Sequence, residues 1–283
     1  MTALRSIFKQ GREPSLVPNY IIMGVLLAFA LAPILVLVFN SLKGTAEIGT
    51  NPLGPPQEIV WENFPNAWTQ GNFANTMGNS AFLVVSTVTL QLALCGLAAY
   101  SLARLKPPGG NAYMVVLLVG TTIPFWLYVV PLFILWRTLG LVNNLLGLII
   151  IYTAGGAPFA IFLLRAFMLA IPSDLEDAAR IDGANEYQVF RHVILPLAWP
   201  GFLTVGLVTA LGVWSEYQTA LIFVTNPDLY PVTTSYTAFV GRFSRDWGLT
   251  SAAAIMMIAP VLIIFLSLQR RFIEGLTQGG VKL

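Results

Sequence analysis

The sequence predicts an all-α membrane protein of six transmembrane helices, with both termini on the inner side and a polar helical elbow between spans 4 and 5. Three observations predict it. The 283 residues are 56% hydrophobic and 10% charged. A soluble domain carries roughly 25% charged residues, so this chain has too few to cover itself for water. Its apolar residues gather into six runs near the roughly 20 residues that a spanning helix needs. Its lysines and arginines are divided unequally among the segments that join those runs.

The runs lie at about 20–40, 79–103, 113–136, 146–164, 201–224 and 251–268. Residues 1–19 are expected to be an inner N-terminal segment. The first run is longer than the core of a signal peptide and no A-x-A site follows it, so it reads as a retained first span. Pro33, Pro124, Pro131 and Pro260 fall within runs. Prolines are tolerated there because neighbouring helices satisfy the freed backbone groups. Cys95, Ala99 and Ala103 recur every four residues, a small-residue stripe suited to close helix packing.

Orientation follows from basic residues. With the N-terminus inside, the inner segments hold Arg5, Lys9, Arg12, Arg104, Lys106, Arg165, Arg180, Arg191, Arg270, Arg271 and Lys282. The outer segments hold only Lys43, Arg137, Arg242 and Arg245. The excess favours both ends inside. In the long outer segment 41–78, Trp61, Phe64, Trp68 and Phe73 point to a short helix at the membrane interface. Residues 269–283 form an inner tail made flexible by Gly275, Gly279 and Gly280.

Composition also excludes. A net charge of +2 is too small to argue for nucleic acid. Cys95 is the one cysteine, so there is neither an intrachain disulfide nor a thiolate cluster. His192 is the one histidine, and no second one completes a metal site with it. No recognisable nucleophile arrangement occurs. There is no G-x-x-x-x-G-K-[ST] run, so this chain cradles no nucleotide phosphates by a P-loop.

Between spans 4 and 5 stands "DAARIDGANEYQVFRHVILP", residues 177–196. Ile171-Pro172 is expected to stop the preceding helix. Ser173 with Glu176 reads as a capping box, and Asp174, Glu176 and Asp177 suit a helix N-terminus. Leu175, Ala178 and Ala179 share a flat face. Gly183 ends this helix as glycine does at C′. Asn185 and Gln188 form a second cap-like pair. Tyr187, Phe190 and Ile194 line a second short helix, which Pro196 is expected to break. A flat alanine face with exposed aromatics suits docking into another protein's groove.

These residues resemble the inner-face signature of binding-protein-dependent ABC transporter permeases: E-A-A, three residues, Gly, nine residues, I-x-L-P. Here Asp177-Ala178-Ala179 precedes Gly183, and Val193-Ile194-Leu195-Pro196 follows; Asp177 stands for Glu and Val193 for Ile. Segments 123–144 and 226–232 resemble the sugar-transporting members, and the tail resembles the second permease subunit of the maltose type. The resemblance implies a coupling helix that sits in a cleft of an ATPase subunit, carried on Glu176, Asp177, Ala178, Ala179, Asp182, Gly183, Phe190, Leu195 and Pro196. It implies a homologous second permease subunit, two copies of a P-loop ATPase that bind the ATP and Mg, and an extracytoplasmic solute-binding protein. The site would be the inner membrane of a bacterium or archaeon, in contact with lipid; contact of the tail with the ATPase dimer is one reading, and a free, disordered end the other. No cofactor belongs to this chain and it is not an enzyme.

Glu216 is the one acidic residue well inside a run, in "GVWSEYQTALIF". A charge at mid-membrane costs roughly 2.5–3.5 kcal/mol on insertion scales, so it should face a cavity or a partner. With Trp214 and Tyr217 it is a candidate for the solute path; a helix–helix contact is the other reading. A gradient-driven secondary transporter is the alternative, but it would want several intramembrane ionisable groups. An intramembrane enzyme would need clustered His, Asp or Ser in the spans, and none shows.

Overall fold

The computed structural model describes residues 16–280, with the side chains of residue 268 and residues 270–280 outside the description. Every regular element among the described residues is helical. The walk begins with α1 (Val17–Ser41), which carries a proline in its first turn, where no N–H is needed. Short α2 (Thr45–Thr50) and α3 (Asn63–Gln70) follow. Next, α4 (Phe73–Tyr100) runs straight into a wider π-type turn, Ser101–Leu105, ended by Lys106 at φ 47°.

The run expected to span continuously over 113–136 is two helices. α5 (Gly110–Thr122) and α6 (Phe125–Thr138) meet at 102°. The cause is Pro124, which pushes Ile123 out of the helical region to φ −83°, ψ 115°. α7 (Leu145–Leu169) is capped by the Asn144 side chain, which accepts from Leu146 N.

Then come α8 (Asp174–Ile181) and α9 (Glu186–Val189), the latter continuing through a π-type turn, Phe190–Ile194, into α10 (Leu195–Leu197). Pro196 does not break this stretch, because it lies in the first turn of α10. The break comes at Ala198, where the chain bends 74° into α11 (Trp199–Ser215). α11 stops short of the run expected to reach 224. Glu216 is extended, and α12 (Gln218–Phe223) starts afresh. A 3-10 turn (Pro227–Leu229), α13 (Val232–Arg242) and α14 (Trp247–Gly280) complete the chain. Among the described residues, four helices are long and apolar enough to cross a membrane, or up to six if each bent pair is one span.

Internal packing divides the chain into two compact units, residues up to Ala67 with Phe243–Ile255, and Trp68–Arg242 with the residues from Met256 onward. In the first unit the loop after α1 is tied by polar bonds. Lys43 is fully buried; its Nζ donates to Asn51 O at 2.6 Å and Asn40 Oδ1 at 3.2 Å. Asn63 Nδ2 donates to the carbonyls of Ser41 and Lys43 at 3.0 Å each. Gly248 has no room for a side chain, since a Cβ would collide with Lys43 O.

In the second unit the small-residue stripe does its expected work. Cys95, Ala99 and Ala103 are buried against Leu164 and Met168 of α7 and Phe202 and Val205 of α11. A Cβ on Gly96 would meet the Phe202 ring at 2.8 Å. Lipid tails are as apolar as leucine, so close packing rather than exclusion of water holds such helices together. A second cluster joins Leu83, Val129, Trp136, Leu148 and Phe223. Trp136 Nε1 within it donates to Gly147 O at 3.1 Å.

Candidate functional site

The polar elbow is built by two short helices and a glycine. α8 ends at Ile181 with Asp182 as its C-cap, and Gly183 follows at φ 89°, a left-handed conformation that costs glycine little. Asn185 then starts α9 with a complete capping box. Its Oδ1 accepts from Gln188 N at 3.0 Å, and Gln188 Oε1 accepts from Asn185 N at 2.8 Å. The capping box expected at Ser173 and Glu176 does not form. Ser173 is itself helical and makes no side-chain cap, because Glu176 is drawn elsewhere.

Glu176 points inward, its side chain 3% exposed, with Oε1 2.7 Å from Arg104 Nε. Arg104 comes from the turn that ends α4. Its Nη2 also donates to Met168 O and Ile171 O, both at 2.6 Å. It thus adds a charged donor to carbonyls at and just beyond the end of α7. Arg180 carries the chain of charges onward, reaching Glu176 Oε2 at 3.3 Å, Asp177 Oδ1 at 3.1 Å and Glu186 Oε1 at 2.9 Å. Glu186 Oε2 accepts from Tyr100 Oη at 2.7 Å, which returns to α4 one turn before Arg104. Hydrogen bonds from Arg180 and Tyr100 hold the Glu186 carboxyl below its ordinary range, while Glu186 pushes the Arg180 guanidinium up.

This closed ring fixes the inner face of the elbow. Ala179 packs inward with Glu176, so the flat alanine face is split, and only Leu175 and Ala178 remain outside. Phe190 is likewise not an exposed aromatic. It packs half-buried against Tyr100 at 5.2 Å between ring centroids. Leu195 is half-buried, while Asp177, Asp182, Gly183 and Pro196 are exposed. The outer face offers Leu175, Tyr187 and above all Ile181, which is 85% exposed. An open hollow of about 250 Å³ lies beside Gly183, Gln188 and His192.

Sequence reasoning missed Arg104, Tyr100 and Ile181. Arg104 and Tyr100 come from a distant span, and only three-dimensional proximity pairs them with the elbow. Ile181 had a legible signal as an isoleucine between two charged residues, Arg180 and Asp182.

The second candidate group lies at the break in span 5. Glu216 is not inside a helix but at the gap, where its carboxylate caps α12. Oε1 accepts from Thr219 N at 2.7 Å and Oε2 from Ala220 N at 3.2 Å. Oε2 also accepts from Tyr152 Oη at 2.7 Å. Trp214 is buried and donates Nε1 to Met257 O at 3.1 Å. Tyr217 is half-buried beside the gap. Glu216 thus stands one residue before Tyr217, the N-cap of α12, with its carboxylate on the first-turn amides, where the helix dipole favours a negative group. Among the described residues no group of His, Cys, Asp or Glu could hold a metal. The tail, for which contact with an ATPase is one of two readings, lies, from residue 270, outside the described side chains.

The profile of the binding-protein-dependent transport system inner membrane components matches residues 91–277. The diacetylchitobiose uptake system permease protein NgcG of Streptomyces coelicolor is 35% identical over 251 residues, covering 88% of this chain and 83% of the relative. The trehalose transport system permease protein SugB of Mycobacterium tuberculosis is 33% identical over 260 residues, covering 91% and 94%. Among solved structures, a chain of a bacterial ABC transporter involved in the import of the acidic polysaccharide alginate superimposes with a TM-score of 0.81. That match has 24% identity and covers 93% of this chain and 100% of that one.

Proposed function

This chain belongs to the family of binding-protein-dependent transport system inner membrane components, and on that premise we propose that it is a permease subunit of an ATP-driven sugar importer whose elbow is gripped by a separate ATPase. The observation that carries the reading is the elbow's two-sidedness. Its inner face is locked to α4 and α7 through Arg104, Glu176, Arg180, Glu186 and Tyr100. Its outer face presents Leu175, Ala178 and Ile181 unpartnered. A push on the outer face therefore reaches two spans without being lost in a hinge.

Alternating access requires an equilibrium to be reversed. Taking it from 1:99 to 99:1 needs about 5.5 kcal/mol of differential interaction. ATP binding to the partner supplies that energy, and the elbow transmits it. The assembly we infer has a homologous second permease subunit, two ATPase copies and an extracytoplasmic binding protein. The elbow then faces the cytoplasm. The solute is a di- or oligosaccharide, the class that the names of several relatives carry. Glu216 serves the path by holding the gap between α11 and α12 in shape, with Tyr217 at its side. The gradient-driven alternative is weaker because Glu216, its one acidic candidate in the spans, is already engaged in capping.

The test is affinity purification of the tagged chain from its native membrane with identification of what accompanies it. A P-loop ATPase and a second permease are expected. Ile181→Asp should lose at least roughly ten-fold of the ATPase, as burial of a new charge at an interface costs more than 1.4 kcal/mol, while keeping the second permease. Recovery of the chain alone, under conditions that keep other membrane complexes whole, would contradict the reading.

A further inference from the structure

A cavity of about 340 Å³ opens beside the π-type turn that ends α4. Its polar side holds Lys106, Arg165 and the first residues of α5; its apolar side holds Leu102, Met114 and Leu169. A second hollow of about 250 Å³ shares Leu102 and Gly110 with the first and continues to Ala98 and Tyr113. A cationic chamber and an apolar one thus stand side by side.

Among the described residues no carboxylate pairs with Lys106 or Arg165. Arg165 makes only a long contact, Nε to Leu102 O at 3.4 Å. Arg104 nearby differs, since its charge is spent on Glu176. The amides at the start of α5 add to the positive field: Gly109 precedes the helix and no side chain caps it. The position matters too. The cavity lies where two long apolar helices, α4 with its π-type turn and α7, end, at Leu102 to Lys106 and at Leu169. α5 has no buried residue, and Val115, Val116, Leu118 and Val119 are all exposed.

We propose that this cavity binds the phosphate headgroup of an anionic phospholipid, with Lys106, Arg165 and the α5 N-terminus around the phosphate and an acyl chain along Leu102 and the apolar hollow. Basic pockets between membrane helices suit such headgroups. A free phosphate shares the headgroup chemistry but makes no use of the adjoining apolar chamber, which is why the lipid is favoured. The inference depends on the chain's spanning a membrane and not on what grips the elbow.

Native mass spectrometry of the full chain, purified with the subunits it retains, tests it. Phosphatidylglycerol should stay bound at activation energies that strip phosphatidylcholine. Lys106→Gln should weaken phosphatidylglycerol binding about five-fold, and the Lys106→Gln/Arg165→Gln pair by more than roughly ten-fold, from the worth of each basic group beside an anionic lipid. Phosphatidylcholine binding should not change. Equal retention of the two lipids by the wild type, or undiminished phosphatidylglycerol binding in the double variant, would overturn the proposal. So would glycerol 3-phosphate competing as strongly as phosphatidylglycerol, since the ligand would then be a soluble phosphate. If the double variant does not assemble, the exposed Lys106→Gln alone decides, against a Lys106→Arg/Arg165→Lys control that keeps both charges and should keep the lipid.

Discussion

Arg104 does two jobs with one guanidinium, closing the end of α7 and neutralising Glu176. Both side chains are nearly buried, at 11% and 3% exposure. Removing one partner of such a pair leaves an uncompensated charge and costs about 3–5 kcal/mol, whereas replacing both by apolar residues is far milder. Arg104→Met should therefore lower the melting temperature of the purified protein sharply. Arg104→Met/Glu176→Leu should recover much of that loss in a double-mutant cycle, and simple additivity of the two changes would contradict the pairing. Glu216 makes a different prediction. Losing a helix cap costs about 1 kcal/mol, so Glu216→Ala should weaken the gap and reduce uptake in vesicles. Glu216→Gln keeps an acceptor oxygen for the α12 amides and should leave the KM for solute unchanged. A raised KM in Glu216→Gln would mean that the carboxylate touches the solute.

At the scale of elements, the elbow depends on one backbone conformation. Gly183 stands at φ 89° with open space where a Cβ would go. Any penalty for a larger residue there is conformational, of about 1–2 kcal/mol, and Asn should be tolerated better than Val. The proposed complex carrying Gly183→Val is expected to assemble, with its ATPase subunits hydrolysing ATP but little transport following, read as the ratio of uptake to hydrolysis in proteoliposomes; a wild-type ratio would show that the elbow's angle does not matter. Much of this architecture was legible in the sequence. Run lengths located the long apolar helices that are candidate spans, the four-residue stripe at Cys95, Ala99 and Ala103 located a buried helix contact, and Asn185 with Gln188 located a real cap. What was not legible turned on partners far away in the chain. Ser173 and Glu176 have the pattern of a capping box, but Arg104, some seventy residues earlier, offers Glu176 a full charge in place of a backbone amide. Hydropathy averaged over a window also passes through Pro124 and Glu216 without registering a bend, because a break changes direction and not polarity.

At the scale of the whole molecule, the ring of charges and the exposed outer face of the elbow supply what the proposed push from outside the chain needs, a rigid inner attachment and a free outer surface. The sequence holds no P-loop, and the family to which the chain belongs transports with separate binding proteins. The central claim is that the outer face of α8 is held by an ATPase. The most direct measurement places a photo-crosslinking amino acid at position 181, in native membranes, with a matching probe at Val116 on the exposed flank of α5 as control. The account predicts a crosslink from position 181 to a P-loop ATPase, strengthened or weakened by nucleotide, and none to that protein from position 116. Crosslinks from position 181 only to lipid, or only to copies of this chain, would contradict it.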